Sequence, residues 1–222
     1  MKFVTYLGDG DGPRAGIAVD GRIVDLKGGA ATLGGQLPST IVEFLRQGEE
    51  GLSLAQRVAD EAAAGRVPSW DANEVKLLAA VPNPPTIFLL AGNYQAHIVE
   101  GGSAAVEKEF ITPRPFIKPG TAVIGNGDPI KIPGDSDTVD YELEIAAVIG
   151  RPGKNVPVDQ AENYIAGYVV FNDVSARGLK IAEGRKERNG DWFFDWLLGK
   201  WCDSFAAVGP YLVTRDEAGD PT

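Results

Sequence analysis

Residues 2 to 26 alternate apolar and polar positions, which is the pattern of β-strands that bury one face. Residues 16–19 form one apolar run, Ile23 and Val24 begin the next, and Asp20-Gly21 lies between them. An Asp-Gly pair between two such runs is typical of a tight hairpin. We therefore expect a small sheet at the start of the chain.

Helical patterns follow this sheet. Thr40 with Glu43 three residues later matches a capping box, and the apolar positions within residues 41–45 then fall on one face of a helix. A second helix is predicted over about residues 52–64, with Gly65 placed where helices end. We expect both helices to pack against the rest of the protein.

The pattern changes near residue 80. Four residues, Pro82-Asn83-Pro84-Pro85, cannot form a helix, and an apolar strand over residues 87–91 follows at once. Turn residues separate the later apolar segments, which are residues 116–118, 122–124, 142–149, 165–172 and 205–213. The prediction is an α+β, predominantly β protein, with a small N-terminal α/β domain over residues 1–80 and a mixed β-roll or barrel domain over residues 81–222.

Two glutamates lie at the start of one predicted strand. Side chains two positions apart share a face of a strand, so Glu142 and Glu144 point the same way, while Leu143, Ile145 and Ala147 occupy the other face. Neighbouring carboxylates repel each other unless a cation lies between them. A solvated strand face is the alternative, but both apolar flanks have the composition of buried segments, which weakens it.

A third acid, Asp173, follows the apolar strand over residues 165–172. Its alternative role is to cap the element that starts at Ser175. Three carboxylates without a cysteine or second histidine nearby suit an ion that prefers oxygen, so Mg²⁺, Mn²⁺ or possibly Ca²⁺ is expected and zinc is not. Three protein ligands would leave about three of the six positions of Mg²⁺ for water or a chelating oxo acid.

The single histidine excludes every site that needs two imidazoles. On a helix, His97 and Glu100 are neighbours, so the carboxylate can orient the imidazole and raise its basicity. His97 is therefore a candidate general base for water, and a surface ion pair on a short helix is the alternative. Lys200 lies among aromatic and small residues, where an ammonium can stabilise an enolate or bind a substrate carboxylate. A structural ion pair, for example with Asp203, fits its spacing equally well.

Composition limits the partners and the compartment. The chain has 222 residues, of which 44% are hydrophobic, so it can build an ordinary core. Its 31 acidic and 21 basic residues give a net charge of -10, which disfavours nucleic acid and anionic membranes. No apolar run approaches the length of a membrane span, and the first seven residues lack the pattern of a signal peptide. The single cysteine, Cys202, fits a reducing cytoplasm.

Taken together, the ordered segments resemble the fumarylacetoacetate hydrolase family. No single motif is decisive, but five occur in sequence over residues 86–214. These motifs are Asn93-Tyr94 with His97 and Glu100, Phe116-Ile117-Lys118-Pro119, Asp140-Tyr141-Glu142-Leu143-Glu144, Gly167-Tyr168 with Asn172-Asp173-Val174-Ser175-Ala176-Arg177, and Gly199-Lys200 with Asp203, Phe205 and Gly209-Pro210.

The resemblance implies a β-roll catalytic domain that usually dimerises. Mg²⁺ or Mn²⁺ would be held by Glu142, Glu144 and Asp173, and a lid helix would carry His97 and Glu100. Two lysines and an arginine complete the implied site: Lys200 would face the substrate, and Lys118 and Arg177 are candidate substrate-binding residues.

The implied activity is hydrolysis of a carbon-carbon bond in a small acylpyruvate or diketone-type oxo acid, through a metal-stabilised enolate. Decarboxylation, isomerisation or hydration of a related 2-oxo acid on the same site is the alternative, and a catalytically silent oxo-acid-binding subunit is another. An ordinary β-rich binding module with accidental acids is a third reading. Two departures bear on the choice: Gly178-Leu179-Lys180 replaces an acid and a glutamine that often follow the fourth motif, and the usual C-terminal strands of the family have no counterpart before Thr222.

Overall fold

The computed structural model describes residues 1–8, 12–100, 102, 104, 111–179 and 184–219, without the side chain of His97. The helices are α1 (Leu26–Thr32), α2 (Ile41–Leu45), α3 (Gly48–Ala63), α4 (Gln95–Glu100), α5 (Asp191–Leu198) and α6 (Arg215–Ala218), with short 3-10 helices at Gly120–Ala122 and Val158–Tyr164. The strands are β1 (Lys2–Leu7), β2 (Pro13–Val19), β3 (Arg22–Asp25), β4 (Trp70–Asp71), β5 (Lys76–Leu77), β6 (Ile87–Leu90), β7 (Pro115–Lys118), β8 (Val123–Ile124), β9 (Val139–Asp140), β10 (Leu143–Ile149), β11 (Ile165–Asp173), β12 (Ser175–Ala176), β13 (Ala206–Val208) and β14 (Leu212–Thr214).

The predicted N-terminal hairpin is confirmed. Strands β2 and β3 pair antiparallel, with Val19 opposite Arg22. Asp20 and Gly21 both have positive φ, at 48° and 76°. Two such residues give the turn whose twist matches the paired strands, and aspartate and glycine tolerate that backbone better than most residues.

The two predicted helices are also confirmed. The Thr40 side chain accepts a hydrogen bond from the amide of Glu43 at 3.4 Å, so it caps α2 as the sequence indicates. Helix α3 starts at Gly48, about four residues earlier than expected, and ends just before Gly65, which has a φ of 72°. The core includes Phe3 and Phe44, whose ring centroids are 4.8 Å apart.

Most strands join one mixed, curled sheet of ten strands, whose main path runs β4-β3-β2-β1-β14-β11-β13-β8. Strand β10 also pairs with β11, and β5 also pairs with β1. The predominantly β fold class is thus confirmed. Strand β1 pairs with β14, so the two predicted domains share a sheet, and the boundary near residue 80 stays a prediction. No helix in the described ranges is long and apolar enough to span a membrane.

One expectation about burial is wrong. Within the described chain, β10 pairs only with β11, and the side of β10 opposite its glutamates is exposed. Leu143 is 73% exposed and Ile145 is 50% exposed. The apolar composition of this strand predicts a strand correctly, but composition does not show on which side the strand is covered.

Candidate metal centre

Strand register brings the three predicted acids together. In the antiparallel pair of β10 and β11, Leu143 is opposite Asn172, which places Glu142 opposite Asp173. The amide of Asp173 donates to the carbonyl of Glu142 at 2.9 Å, continuing the pairing by one residue. Directly opposite residues share a face of the sheet, and Glu144 lies on that face two positions along β10. Each of the three acids offers a carboxylate oxygen within 4.8 Å of the others.

Of the three carboxylates, Glu144 has the fewest positive charges close to it. Within the described residues, no cation forms an ion pair with it, and its side chain is half-buried. Burial, and then the negative charges of Asp173 and Glu142, raise its pKa to about 7. A cation placed among the three carboxylates would oppose this shift by stabilising the charged form of Glu144.

Asp173 is buried between two lysines. The ammonium of Lys118 lies 2.8 Å from Oδ1, and the ammonium of Lys200 lies 2.6 Å from Oδ2. The contact with Lys118 lacks hydrogen-bond alignment, so Oδ1 is a buried oxygen that accepts no hydrogen bond within the described structure. This oxygen therefore has an ion-pair contact but no hydrogen bond, and it can accept a further partner such as a metal ion.

Glu142 is held from several sides. Its Oε2 lies 3.0 Å from the Lys200 ammonium, and its Oε1 lies 2.5 Å from the guanidinium of Arg177. The hydroxyl of Ser175 is 3.2 Å from Oε1, and the amide of Glu142 donates to Asn172 Oδ1 at 3.0 Å. The contacts that Ser175 and Asn172 make with Glu142 were not predicted from the sequence, although both residues lie within the fourth family motif.

The two lysines have different surroundings. The Lys118 side chain is fully buried, and its ammonium also donates to the backbone carbonyls of Val174 at 2.8 Å and Phe205 at 2.6 Å. Burial lowers the pKa of Lys118, and the nearby carboxylate of Asp173 opposes that change. The side chain of Lys200 is 4% exposed, and its ammonium lies over the rings of Phe116 and Trp196, 5.5 and 5.7 Å from their centroids.

Five of the predicted site residues thus surround Asp173 or contact one another: Lys118, Glu142, Glu144, Arg177 and Lys200. The predicted helix that carries His97 and Glu100 is present as α4, and Glu100 is exposed on it. The His97 side chain lies outside the described residues. The roles of these two residues as a base and its orienting acid stay predictions.

The residues present fit a divalent ion. All three candidate ligands are carboxylates, which suit Mg²⁺, Mn²⁺ or Ca²⁺ better than softer metals. Glu144, which has no ion-pair partner in the described structure, is the carboxylate that an added cation would compensate most, and Oδ1 of Asp173 accepts no hydrogen bond there and so can accept a further partner. Glu142, Glu144 and Asp173 are therefore the residues that could hold the ion.

Sequence comparisons identify relatives of this chain. The model of the fumarylacetoacetate hydrolase C-terminal domain matches residues 86–222. Mitochondrial oxaloacetate tautomerase fahd2 of Xenopus laevis is 36% identical over 224 residues, covering 100% of this chain and 64% of that protein. Human oxaloacetate tautomerase FAHD2A is 39% identical over 185 residues, covering 83% of this chain and 54% of that protein. The chain thus spans less than two thirds of the length of these relatives.

Solved structures give the same result. A fumarylacetoacetate hydrolase from Exiguobacterium antarcticum superposes with a TM-score of 0.71 at 26% identity, covering 100% of this chain and 69% of that one. Maleylpyruvate hydrolase from Sphingobium, in complex with manganese and pyruvate, superposes with a TM-score of 0.67 at 28% identity, covering 100% and 70%. The match over residues 86–222, more than half of the chain, shows that it belongs to the fumarylacetoacetate hydrolase family.

Proposed function

We propose that this chain carries a divalent-metal active site that converts a small 2-oxo acid through an enolate. The main observation behind the proposal is that the carboxylates of Glu142, Glu144 and Asp173 lie close together, next to the buried ammonium of Lys200. The printed names of relatives support it, because they include oxaloacetate tautomerases and a maleylpyruvate hydrolase seen with manganese and pyruvate.

Each residue has a proposed part. Glu142, Glu144 and Asp173 would hold Mg²⁺ or Mn²⁺, and the bound ion would polarise the carboxylate and keto oxygens of the oxo acid. Lys200 would neutralise the negative charge that develops on the keto oxygen as the enolate forms, because its ammonium is buried beside the ligands.

The aromatic rings beside Lys200 keep its surroundings poor in water. In such surroundings, an ammonium stabilises a nearby anion more strongly than it would in bulk solvent. The rings of Phe116 and Trp196 pack against each other, with centroids 5.1 Å apart, and together they form the apolar surface next to the Lys200 ammonium. Substitution of either ring should therefore weaken catalysis without removing a charged group.

Carbon-carbon bond hydrolysis is the first candidate reaction. His97, oriented by Glu100, would take a proton from water, and the resulting hydroxide would add to the distal carbonyl of an acylpyruvate. The carbon-carbon bond then breaks, its electron pair forms the enolate of pyruvate, and the acyl group leaves as a carboxylic acid. Protonation of the enolate carbon gives pyruvate.

Keto-enol tautomerisation of oxaloacetate is the second candidate, and it is favoured by the identities of 36% and 39% to oxaloacetate tautomerases. A base removes a proton from the carbon next to the keto group, the enolate forms, and a proton is added to its oxygen. Neither water addition nor carbon-carbon cleavage is needed, so the same carboxylates and Lys200 serve both reactions.

An assay with acetylpyruvate and oxaloacetate distinguishes the candidates. Ultraviolet absorbance follows the enol form, and chromatography identifies pyruvate and acetate. We expect Mn²⁺-dependent conversion of at least one substrate by the chain, loss of it in Glu142→Ala, and retention in Glu74→Ala, which changes an exposed turn residue. Equal activity of the Glu142→Ala and unaltered proteins would refute the proposed site.

A further inference from the structure

We propose that Lys200 is an exchangeable counter-ion of the metal-free site, and that a divalent ion displaces its ammonium from Glu142 and Asp173. The inference rests on the proposed function, since it concerns the same three carboxylates. It adds a role for Lys200 before any substrate arrives: its ammonium and the metal ion compete for the same oxygens.

All four carboxylate oxygens of Glu142 and Asp173 are already in contact with cations. Lys118 contacts Oδ1 of Asp173, and Arg177 contacts Oε1 of Glu142. Lys200 contacts the remaining oxygen of each, Oδ2 at 2.6 Å and Oε2 at 3.0 Å. An ion bound to all three acids must therefore share an oxygen with a cationic side chain or displace that side chain.

Sharing is electrostatically costly. An ammonium and a metal ion that contact the same oxygen are separated by about 5 Å or less, because metal-oxygen distances are about 2.0–2.6 Å. The site is largely buried, so water screens their repulsion poorly. This repulsion favours a position of one cationic side chain farther from the metal ion.

Lys200 is the cation with the weakest independent anchor. Lys118 is fixed by two backbone carbonyls as well as by Asp173, so it cannot leave without breaking buried hydrogen bonds. Arg177 also pairs with Asp140 at 3.2 Å. The polar contacts that the structure gives for the Lys200 side chain are those with the two carboxylates themselves.

Aromatic rings offer Lys200 a second position. Its ammonium already lies 5.5 Å from the centroid of the Phe116 ring and 5.7 Å from that of Trp196, within the range of cation-π attraction. An ammonium that loses its carboxylate partners can stay against these rings. Metal binding would thereby free the positive charge of Lys200 to contact an incoming anion.

The test compares the Mn²⁺ affinity of the unaltered chain with that of Lys200→Met by calorimetry, without substrate. We expect Lys200→Met to bind Mn²⁺ about tenfold or more tightly, since the competing charge is gone and the side-chain volume is nearly kept. The matched control is Lys76→Met, which removes a surface partner of Asp128 and should leave Mn²⁺ affinity unchanged. Equal or weaker affinity of Lys200→Met would overturn the inference.

A second measurement uses the unaltered chain, in case Lys200→Met does not fold without metal. Amine acylation followed by peptide mass spectrometry should label Lys200 faster when Mn²⁺ is added, while Lys118 stays protected in both states as an internal control. Unchanged or slower labelling of Lys200 would contradict the displacement. A chain that binds no Mn²⁺ at all would instead contradict the proposed function.

Discussion

Replacing Glu144 with glutamine should change the stability of the metal-free protein and its response to metal in opposite directions. Glutamine keeps the shape of the side chain and removes the negative charge. In the metal-free protein that charge is unfavourable, because Glu144 is half-buried beside Asp173 and Glu142. In the metal-bound protein it is needed, because it is one of three candidate ligands.

The magnitude follows from the pKa of Glu144, which is raised from 4.5 to about 7. At about 1.4 kcal/mol for each pKa unit, this corresponds to at most about 3.5 kcal/mol, and water at the partly exposed side chain reduces it to about 1–2 kcal/mol. The folded protein holds the proton more tightly than the unfolded chain does. The free energy of unfolding should therefore fall as pH rises from about 4.5 to about 7, and Glu144→Gln should remove this loss.

Thermal and denaturant unfolding with a chelator, at pH 8 and pH 5, measure the first effect. We expect Glu144→Gln to be more stable than the unaltered chain at pH 8, with a smaller difference at pH 5. Addition of Mn²⁺ should stabilise the unaltered chain and have much less effect on the variant. The exposed Glu74→Gln should resemble the unaltered chain in both respects. A Glu144→Gln protein that is less stable at pH 8, or that responds to Mn²⁺ normally, would refute this reasoning.

Three further substitutions test the supporting contacts. Lys118→Met should lower the free energy of unfolding by about 3–5 kcal/mol in chemical denaturation, because it leaves buried acceptors without their donor, and an unchanged midpoint would contradict this. Asp25→Asn should lower the free energy of unfolding by about 3 kcal/mol in the same measurement, because Asp25 is buried and pairs with Arg14 at 2.6 Å. A decrease below about 0.5 kcal/mol would contradict a stabilising role of this pair. Ser175→Ala should weaken Mn²⁺ binding severalfold in calorimetry by loosening Glu142, and unchanged affinity would show that the hydroxyl does not position it.

The arrangement of the acids follows from local rules that the sequence reveals. The two-residue period of a strand is enough to place Glu142 and Glu144 on one face. Asp173 could be assigned to the end of a neighbouring apolar segment, but its position opposite Glu142 depends on the register of β10 and β11. Register is a property of the paired strands, so the sequence of either strand alone does not determine it.

The contacts of Lys118 and Lys200 could not be predicted from the sequence. Lys118 is bound by carbonyls of Val174 and Phe205, which are distant along the chain and have no distinctive residue type, because any residue offers a carbonyl. The resemblance to the family implied that Lys200 faces the substrate, and its spacing fitted an ion pair with Asp203 equally well, so neither indicated its contacts with Glu142 and Asp173. The exposed face of Leu143 was missed for a similar reason, since burial depends on what covers a strand.

The most direct test of the metal site is a crystal of this chain grown with Mn²⁺ and oxalate, a stable mimic of a planar enolate. We expect an anomalous diffraction peak within coordination distance of Glu142, Glu144 and Asp173, with oxalate oxygens on the same ion and the Lys200 ammonium moved off the carboxylates. An ion bound elsewhere, or no ion with Lys200 still bridging Glu142 and Asp173, would contradict it.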